Sequence, residues 1–379
     1  MSTAEVVEVV RECAETRRPL RISGSAHWLD AGRPVRADKT LSMRDDCGVV
    51  SYVPGDLTLT ARAGTALADI QSATEDHDQW LTLDPYGSDE GTIGATIATA
   101  SAGPLASSFG LPRDLVLGIE FVNGCGEVIR AGGKVVKNVA GFDLSRLMTG
   151  SWGTLGVITE VTLRLYARPK ADRSFVAKLP ASEKELRTIL LSFRNSGLSP
   201  YAMELLNATT SNALGFGDAP VGLLRFGGNA ALVDVQVNAA STLMRVEEVP
   251  GEIWKRLRSL EKQAEEVIRV SALPLQFVSA SGRMLSDRVP GIFMYISILR
   301  GVMRILTAPS SLRAESGLRG NESTELVVRG APEHGVVYEK LPSEVWPIVS
   351  PTVVADSLSQ GIKKAYDPFN ILNPGILGD

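Results

Sequence analysis

A run of small and hydroxyl residues between Gly91 and Gly103 is the stretch best suited to hold a bulky anionic ligand. It reads Gly-Thr-Ile-Gly-Ala-Thr-Ile-Ala-Thr-Ala-Ser-Ala-Gly and follows Asp84-Pro85-Tyr86-Gly87. Small side chains allow a backbone to approach a ligand closely. A helix that opens near Thr92 would direct free N–H groups and the positive end of its dipole at an anion. Tight packing of a helix on a sheet explains the same residues, so both interpretations stay open on this stretch alone.

Two further segments share this character. Leu20-Arg21-Ile22 predicts a strand, and a loop of mostly small residues, Ser23-Gly24-Ser25-Ala26-His27-Trp28, follows it. A glycine-rich segment occupies residues 132–162 and includes Gly-Ser-Trp-Gly-Thr-Leu-Gly at residues 150–156. The usual nucleotide motifs are absent, because Gly91-x-x-Gly94 is not Gly-x-Gly-x-x-Gly and Gly132-Gly133-Lys134 lacks the flanking residues of a P-loop.

Together these segments resemble the FAD-binding domain of the vanillyl-alcohol oxidase/p-cresol methylhydroxylase superfamily. The run Val-Val-Lys-Asn-Val-Ala-Gly-Phe-Asp-Leu at residues 135–144 is similar to the E-type flavin subunits of bacterial glycolate oxidases. Phe109–Asp114 matches the superfamily's Gly-x-x-Arg-Asp. The end of the chain, 367–375, resembles its closing Asp-Pro-x-x-x-Leu-Asn-Pro-Gly, although Ile376 stands where a basic residue often follows. The resemblance covers residues 1–170 and this short C-terminal piece.

The resemblance implies that FAD binds across the loop at residues 20–28 and the segment at residues 84–114. FAD needs neutral donors around its pyrophosphate and shaped walls around its isoalloxazine ring. A bulky side chain at Gly94 is expected to block this pocket without unfolding the domain. The implied cofactor-binding residues are Gly24, Ser25, Ala26, His27, Pro85, Gly91, Thr92, Ile93, Gly94, Thr96, Ala98, Gly103, Arg113, Asp114, Gly153, Gly156, Val157 and Ile158.

The flavin is predicted to be bound without a covalent link. Some members of the superfamily carry a histidine near the first loop that is bonded to the flavin 8α-methyl carbon, and His27 lies close to that place. The loop around His27 is not the usual covalent-site pattern, and the E-type subunits usually lack the bond. We therefore interpret His27 as a residue near the flavin edge or the surface.

No catalytic residue is assigned. Oxidation of a 2-hydroxy acid needs a base for the hydroxyl proton and a cation for the carboxylate. The chain has only His27, His77 and His334, and Glu333-His334-Gly335-Val336 is not the His-x-Gly-Asp-x-Asn motif of the related catalytic subunit. The resemblance thus implies a subunit that works beside a catalytic flavin subunit and an iron–sulfur subunit on a small 2-hydroxy acid. A stand-alone FAD-dependent oxidoreductase acting on another alcohol or hydroxy acid stays open, as does a non-redox scaffold.

Composition narrows the class of protein. A chain of 379 residues suits two domains of about 150 residues each or more. The net charge of −4 argues against a nucleic-acid partner, and no apolar run reaches the ~18 residues of a membrane span. Cys13, Cys47 and Cys125 stand too far apart to predict a metal or iron–sulfur site. With no signal sequence at the start, we expect a cytoplasmic protein, peripheral to the inner membrane only through its complex.

The predicted fold class is α+β. Residues 1–170 are predicted to form a two-part FAD-binding domain of the p-cresol methylhydroxylase type, and 171–350 a ferredoxin-like antiparallel α+β cap domain. The cap prediction rests on a βαββαβ order between Phe175 and Val249. Residues 351–379 are predicted to return to the FAD domain. Local signals include the capping box Ser2-x-x-Glu5, Thr65 as the cap of a helix that runs to about Glu75, and the hairpin turn Asn123-Gly124.

Overall fold

The computed structural model describes residues 1–133, 143–180, 182–274, 276–277, 291–308, 335–349 and 357–378. Most of the run at residues 135–144, together with His334, therefore lies outside the described residues. The chain forms two compact units. The first unit comprises Met1–Gly103, Gly110–Arg168 and Ser343–Asp379, and the second comprises Pro104–Phe109 and Pro169–Pro342. The functional domain boundaries at residues 170 and 350 stay predictions.

Helices and strands are numbered in chain order. Up to residue 167 they are α1 (Thr3–Thr16), β1 (Leu20–Ser23), β2 (Lys39–Ser42), β3 (Val49–Val53), β4 (Thr58–Arg62), α2 (Leu67–Glu75), β5 (Gln79–Trp80), α3 (Ile93–Ala98), α4 (Ala106–Phe109), α5 (Pro112–Leu115), β6 (Val116–Val122), β7 (Val128–Gly132), α6 (Leu144–Met148), β8 (Val157–Arg164) and β9 (Tyr166–Ala167). They continue with β10 (Ala171–Lys178), α7 (Glu183–Asn195), β11 (Ala202–Leu206), α8 (Ala208–Ala213), β12 (Val221–Gly228), α9 (Ala230–Leu243), β13 (Val246–Val249), α10 (Ile253–Ser259), β14 (Glu266–Ser271), β15 (Ile292–Ser297), β16 (Val302–Thr307), β17 (Val336–Lys340) and α11 (Ser357–Tyr366). Two 3-10 turns, Pro54–Asp56 and Leu260–Gln263, complete the described elements.

The first unit is built on a five-stranded antiparallel sheet with the strand order β3-β4-β8-β6-β7. One apolar cluster packs α2 and α3 on this sheet through residues such as Ile70, Ile97 and Phe121. A second cluster packs α1 beside the parallel pair β1–β2. Leu20 of β1 also forms a parallel bridge to Leu372, so the C-terminal segment adds to this small sheet. The end of the chain therefore returns to the first unit.

Most of the local signals in this unit are confirmed. Ser2 and Glu5 form the capping box of α1, and Asn123-Gly124 joins β6 to β7 in a hairpin. Thr65 was expected to cap α2, which is wrong: Ala66 occupies the cap position and makes no side-chain cap bond. The Thr65 hydroxyl instead accepts from the Gly48 N–H at 2.9 Å and donates to the Gly48 carbonyl at 3.1 Å. The Thr65 hydroxyl, which the local pattern assigned to the start of α2, is therefore engaged in a tertiary contact with Gly48.

The second unit is an eight-stranded antiparallel sheet ordered β13-β10-β12-β11-β15-β16-β14-β17. Its first four strands, with α7 and α9 packed on one face, have the βαββαβ order and the strand arrangement of a ferredoxin-like layer, so that prediction is confirmed. The remaining four strands extend the same sheet from β11. Both units mix helices with antiparallel sheet, and the α+β class is confirmed.

Candidate FAD site

The loop after β1 lies directly against the first turn of α3. A Cβ atom at Gly24 would overlap the Thr92 hydroxyl and would lie 3.2 Å from the Ala95 Cβ. On the same side, His27 Nε2 lies 3.6 Å from a carboxylate oxygen of Glu90. The structure thus brings together the two small-residue segments that the sequence predicted to meet. Gly24 is required because no side chain fits between them.

This loop presents backbone donors. Within the described part of the chain, the N–H groups of Ser25, Ala26 and His27 donate no hydrogen bond. Ala26 adopts a left-handed backbone with φ of +63°. Successive N–H groups around such a residue form a concavity that binds anions. The indole N–H of Trp28, at the end of the loop, is buried without a partner among the described residues. The loop therefore offers neutral donors to an anionic group.

The start of α3 does not present the free donors that the sequence suggested. The N–H of Ile93 donates to the Thr65 carbonyl at 2.9 Å, and that of Gly94 to the Ala63 carbonyl at 2.8 Å. The N–H of Ala95 donates to the Thr92 hydroxyl, the side-chain cap of the helix. The expectation of free helix N–H groups at these three positions is wrong, because two of them donate to carbonyls of the segment that follows β4 and the third donates to the cap of the helix.

Gly94 has a packing role. A Cβ atom at Gly94 would lie 2.7 Å from the Ala63 Cβ and 2.9 Å from the Ala63 carbonyl oxygen. A bulky residue here would also push α3 away from Ala63, which directly follows β4, so its effect on FAD binding in a folded protein stays a prediction. Thr96 is buried as well, and its hydroxyl donates to the Thr92 carbonyl at 3.0 Å.

Two turns, around Pro85 and around Ser151, lie at the C-terminal end of α3 and of the small-residue run that follows it. A Cβ atom at Gly103 would overlap the Asp84 carbonyl, so the segment around Pro85 meets the end of the small-residue run. The N–H of Gly150 donates to Ile97, and that of Trp152 donates to the Ala98 carbonyl at 2.8 Å. These contacts gather the predicted segments around residues 85, 98–103 and 150–153 at one place in the first unit.

Unpartnered buried hydroxyls lie within or just before two of these segments. The Oγ of Ser151 and the Oγ1 of Thr82 are buried and make no hydrogen bond with described residues. A buried polar group without a partner costs free energy, and a ligand that bonds to it removes that cost. Neither residue was singled out from the sequence, where a serine or threonine among so many carries no distinguishing signal.

The remaining predicted residues are placed less directly. Gly156 packs against Phe121, while Val157 and Ile158 are buried in the β6–β8 pairing. Asp114 caps the turn of α5 by accepting from the Leu111 N–H at 2.9 Å, and Arg113 is exposed. Among described residues, no hydrogen bond or ion pair joins Arg113 or Asp114 to the loop after β1. Their assignment to the cofactor stays a prediction.

The second unit contains a buried group of charged side chains around Arg304. Arg304 donates to Glu261 and, at 2.6 Å, to Glu339, which also accepts from Arg269 at 2.8 Å. The Tyr295 hydroxyl donates to Glu261 at 2.5 Å. Burial raises the pKa of Glu261. Burial acts in the same direction on Glu339, but Arg304 and Arg269 outweigh it and lower the pKa of that carboxyl. Both guanidinium groups are already engaged by carboxylates of the chain itself.

The donor set of the first unit fits FAD. A pyrophosphate suits the loop donors after β1, and the hydroxyls and small residues around α3 suit a close approach by a large planar cofactor. Residues 1–132 match the family model FAD_binding_4, an FAD binding domain. The fold and the site together define an FAD-dependent flavoprotein of the p-cresol methylhydroxylase type, and FAD is its cofactor.

Comparison with whole proteins narrows this class. The chain is 32% identical over 372 residues to the glycolate oxidase subunit GlcE of Escherichia coli, covering 98% of this chain and 95% of that protein. The chain belongs to the family of glycolate oxidase-type FAD-binding subunits. It is also 33% identical over 177 residues to the glycolate oxidase subunit GlcD of Bacillus subtilis, which is 46% of this chain and 38% of that one.

Two further proteins bear on the fold and on the alternatives. The chain is 26% identical to a probable mitochondrial D-lactate dehydrogenase of Danio rerio, over 99% of this chain and 82% of that protein. A solved structure of alkyldihydroxyacetonephosphate synthase shares the fold, with a TM-score of 0.68, 17% identity, and coverage of 98% of this chain and 75% of that one.

No described helix combines the length and the apolar character that crossing a membrane requires.

Proposed function

We propose that this chain is the FAD-binding subunit of a glycolate (2-hydroxy acid) oxidase or dehydrogenase complex. The observation that carries the proposal is the nearly full-length similarity to the glycolate oxidase subunit GlcE. In this proposal the chain works beside a catalytic flavin subunit and an iron–sulfur subunit, and it aids electron transfer or assembly. The complex resides in the cytoplasm, at the periphery of the inner membrane.

The polar groups of the chain support an accessory role. FAD supplies the two-electron redox chemistry, whereas the protein must supply a base for the hydroxyl proton and a cation for the carboxylate. Of the two described histidines, His27 lies beside Ser25 and Glu90, and His77 packs edge-on against Tyr52 with ring centroids 5.4 Å apart. The buried Arg304 already forms ion pairs with Glu261 and Glu339. None of these groups forms a base-and-clamp pair for a hydroxy acid.

The similarity to GlcD supports a complex with two related flavin chains. The part of this chain that aligns with GlcD is about as similar to it as the whole chain is to GlcE, and both relatives are named as glycolate oxidase subunits. The cysteines do not supply a route for electrons on their own, since Cys13 is buried and Cys47 and Cys125 are separate free thiols. An iron–sulfur partner would provide that route.

A stand-alone FAD-dependent oxidoreductase is the second candidate. The similarity to a probable D-lactate dehydrogenase over 99% of this chain favours it, because that relative is named as an enzyme in its own right. In this alternative the chain itself would oxidise another hydroxy acid or alcohol.

Dye reduction by the purified chain separates the two candidates. We expect little glycolate- or D-lactate-dependent reduction by the FAD-loaded chain alone, and at least about 10²-fold more when co-purifying partners are added, since base catalysis alone contributes about 10²–10⁴-fold. A mixture of the partners without this chain is the control and should be inactive. Turnover by the chain alone at the rate of the mixture would favour the stand-alone enzyme. A colourless chain that still restores the mixture would favour the scaffold.

A further inference from the structure

The side chain of Asn373 joins two segments of the FAD site that are far apart in the sequence. Its Oδ1 accepts a hydrogen bond from the Ile22 N–H at 2.7 Å, and its Nδ2 donates to the Trp152 carbonyl at 2.7 Å. The residue is 3% exposed, so water does not compete for these bonds. One amide group therefore bridges strand β1 and the turn before β8.

Both bridged segments lead directly to groups that were assigned above to the candidate FAD site. Ile22 lies two residues before Gly24, where the donor loop begins. Trp152 lies between Ser151, whose buried hydroxyl has no described partner, and Gly153. The two hydrogen bonds of Asn373 therefore fix the spacing between this turn and the start of the loop. Asn373 is not itself among the predicted cofactor-binding residues, so it would act on the cofactor only through these neighbours.

The backbone around the bridge is held in unusual conformations. Trp152 has a φ of +53°, a left-handed conformation that is rare for a bulky residue, and Gly153 follows with +70°. A Cβ atom at Gly153 would lie 2.7 Å from the Asn373 Nδ2, so the turn must carry a glycine for the amide to reach. Strained backbone of this kind persists where surrounding contacts hold it, and it is concentrated at functional sites.

The C-terminal segment fixes Asn373 in turn. Its own φ is +44°, which asparagine tolerates, and its N–H donates to the Leu20 carbonyl at 3.0 Å. Asp367 accepts from the N–H groups of Ile371 and Leu372, and Lys363 bonds both to Asp367 and to the Thr154 carbonyl. These hydrogen bonds fix the backbone of the C-terminal segment, so the Asn373 amide has a fixed position relative to both bridged segments.

We propose that Asn373 is a positioning residue that sets the spacing of the two FAD-binding segments. The position requires one acceptor and one donor on the same short side chain, a combination that asparagine provides. The inference rests on FAD as the cofactor and is independent of the substrate of the complex. A purely structural Asn373 would contribute to stability alone, whereas a positioning Asn373 also contributes to FAD affinity in the folded protein.

Two substitutions test this. Asn373→Asp keeps the size of the side chain and the acceptor for Ile22, but it places a carboxylate oxygen against the Trp152 carbonyl. Asn373→Gly keeps the positive φ and removes both bonds. Asn370→Gly is the matched control, because Asn370 lies in the same segment with a φ of +49° and is exposed. The full-length chain is depleted of flavin and titrated with FAD, with flavin fluorescence as the signal.

The titration is made at a temperature where circular dichroism shows each flavin-free variant to be folded. Under that condition the apparent dissociation constant is not changed by a loss of global stability, because the folded fraction stays near one. We expect both Asn373 variants to raise the FAD dissociation constant roughly tenfold or more, the effect of losing about 1.4 kcal/mol. The Asn370 control should stay within about twofold of the parent.

A folded Asn373→Gly protein with the parent's FAD dissociation constant would overturn the proposal, whatever its melting temperature. If the Asp variant does not fold, the Gly variant decides. If neither variant folds without FAD, the residue closes the fold and the positioning role is rejected.

Discussion

At the scale of single residues, His27 is the residue that the sequence predicts to lie near the flavin edge or the surface. Its Nδ1 lies 3.1 Å from the Ser25 hydroxyl, and its Nε2 lies 3.6 Å from a Glu90 carboxylate oxygen. The side chain is 44% exposed. A histidyl–flavin bond needs one ring nitrogen beside the 8α carbon, but both nitrogens here have a polar neighbour within the loop and the facing segment.

The flavin should therefore come off when the protein is denatured. After acid precipitation of the purified yellow protein, we expect the colour in the supernatant and a white pellet. His27→Ala is the control and should release its flavin in the same way. Colour that remains in the pellet, and disappears from the pellet of His27→Ala, would contradict this prediction.

At the scale of elements, α3 is positioned by its packing on β4. The helix is only six residues long, and its first donors are satisfied by Ala63, Thr65 and its own cap Thr92. A short helix is marginal by itself, so tertiary contacts of this kind must hold it in place. The close contact of Gly94 with Ala63 makes this packing sensitive to a single methyl group.

Gly94→Ala should lower the free energy of unfolding by about 1–3 kcal/mol, the usual effect of overpacking. Gly361 in α11 is the matched control, because a Cβ atom there meets nothing within 4 Å. Gly361→Ala should instead stabilise the protein by about 0.5–1 kcal/mol, since alanine is the better helix residue. Urea denaturation followed by circular dichroism measures both. Equal stability of the two variants would show that Gly94 is not tightly packed.

At the scale of the whole molecule, the two units are stabilised by different interiors. The first contains two apolar clusters tied together by the returning C-terminal segment. The second has an apolar cluster on one face of its sheet and the charged group around Arg304 on the strands β14, β16 and β17. Buried charges are tolerated only while they are paired, so this group is a point of vulnerability.

Arg304→Met should destabilise the protein by about 3–5 kcal/mol at neutral pH, because it leaves buried Glu261 without its cation. Burial already raises the pKa of Glu261, and removal of Arg304 raises it further. A carboxyl whose pKa is higher in the folded state than in the unfolded state loses stability as the pH rises through that folded pKa. The deficit of the variant should thus shrink as the pH is lowered through the raised folded pKa, where buried Glu261 takes up a proton.

Arg245→Met is the matched control, since Arg245 is 91% exposed and lies 3.7 Å from Glu247. Its effect should stay within about 0.5 kcal/mol at every pH. Denaturation curves at pH 5 and pH 8 provide the comparison. A deficit for Arg304→Met that is as small as the control's, or that grows on acidification, would contradict the pairing argument.

Features whose partners lie within a few residues could be predicted from the sequence. The capping box of Ser2 and Glu5, the cap of α3 by Thr92 and the Asn123-Gly124 hairpin all arise from hydrogen bonds and backbone preferences over about four residues, which the residue types alone specify. The ferredoxin-like order of β10 to β13 was predicted from the succession of strand and helix segments between Phe175 and Val249, each of which has its own local pattern. These local energies are present before the chain has a tertiary structure.

The tertiary structure decided which groups remain available to the cofactor. Thr65 bonds to Gly48 and not to its own helix, and the N–H groups of Ile93 and Gly94 are taken by carbonyls of the segment after β4. Asn373 reaches Ile22 across 351 positions of sequence. A donor or acceptor pairs with whichever partner the folded chain brings within about 3 Å, and that proximity is a property of the packed structure that no local pattern contains.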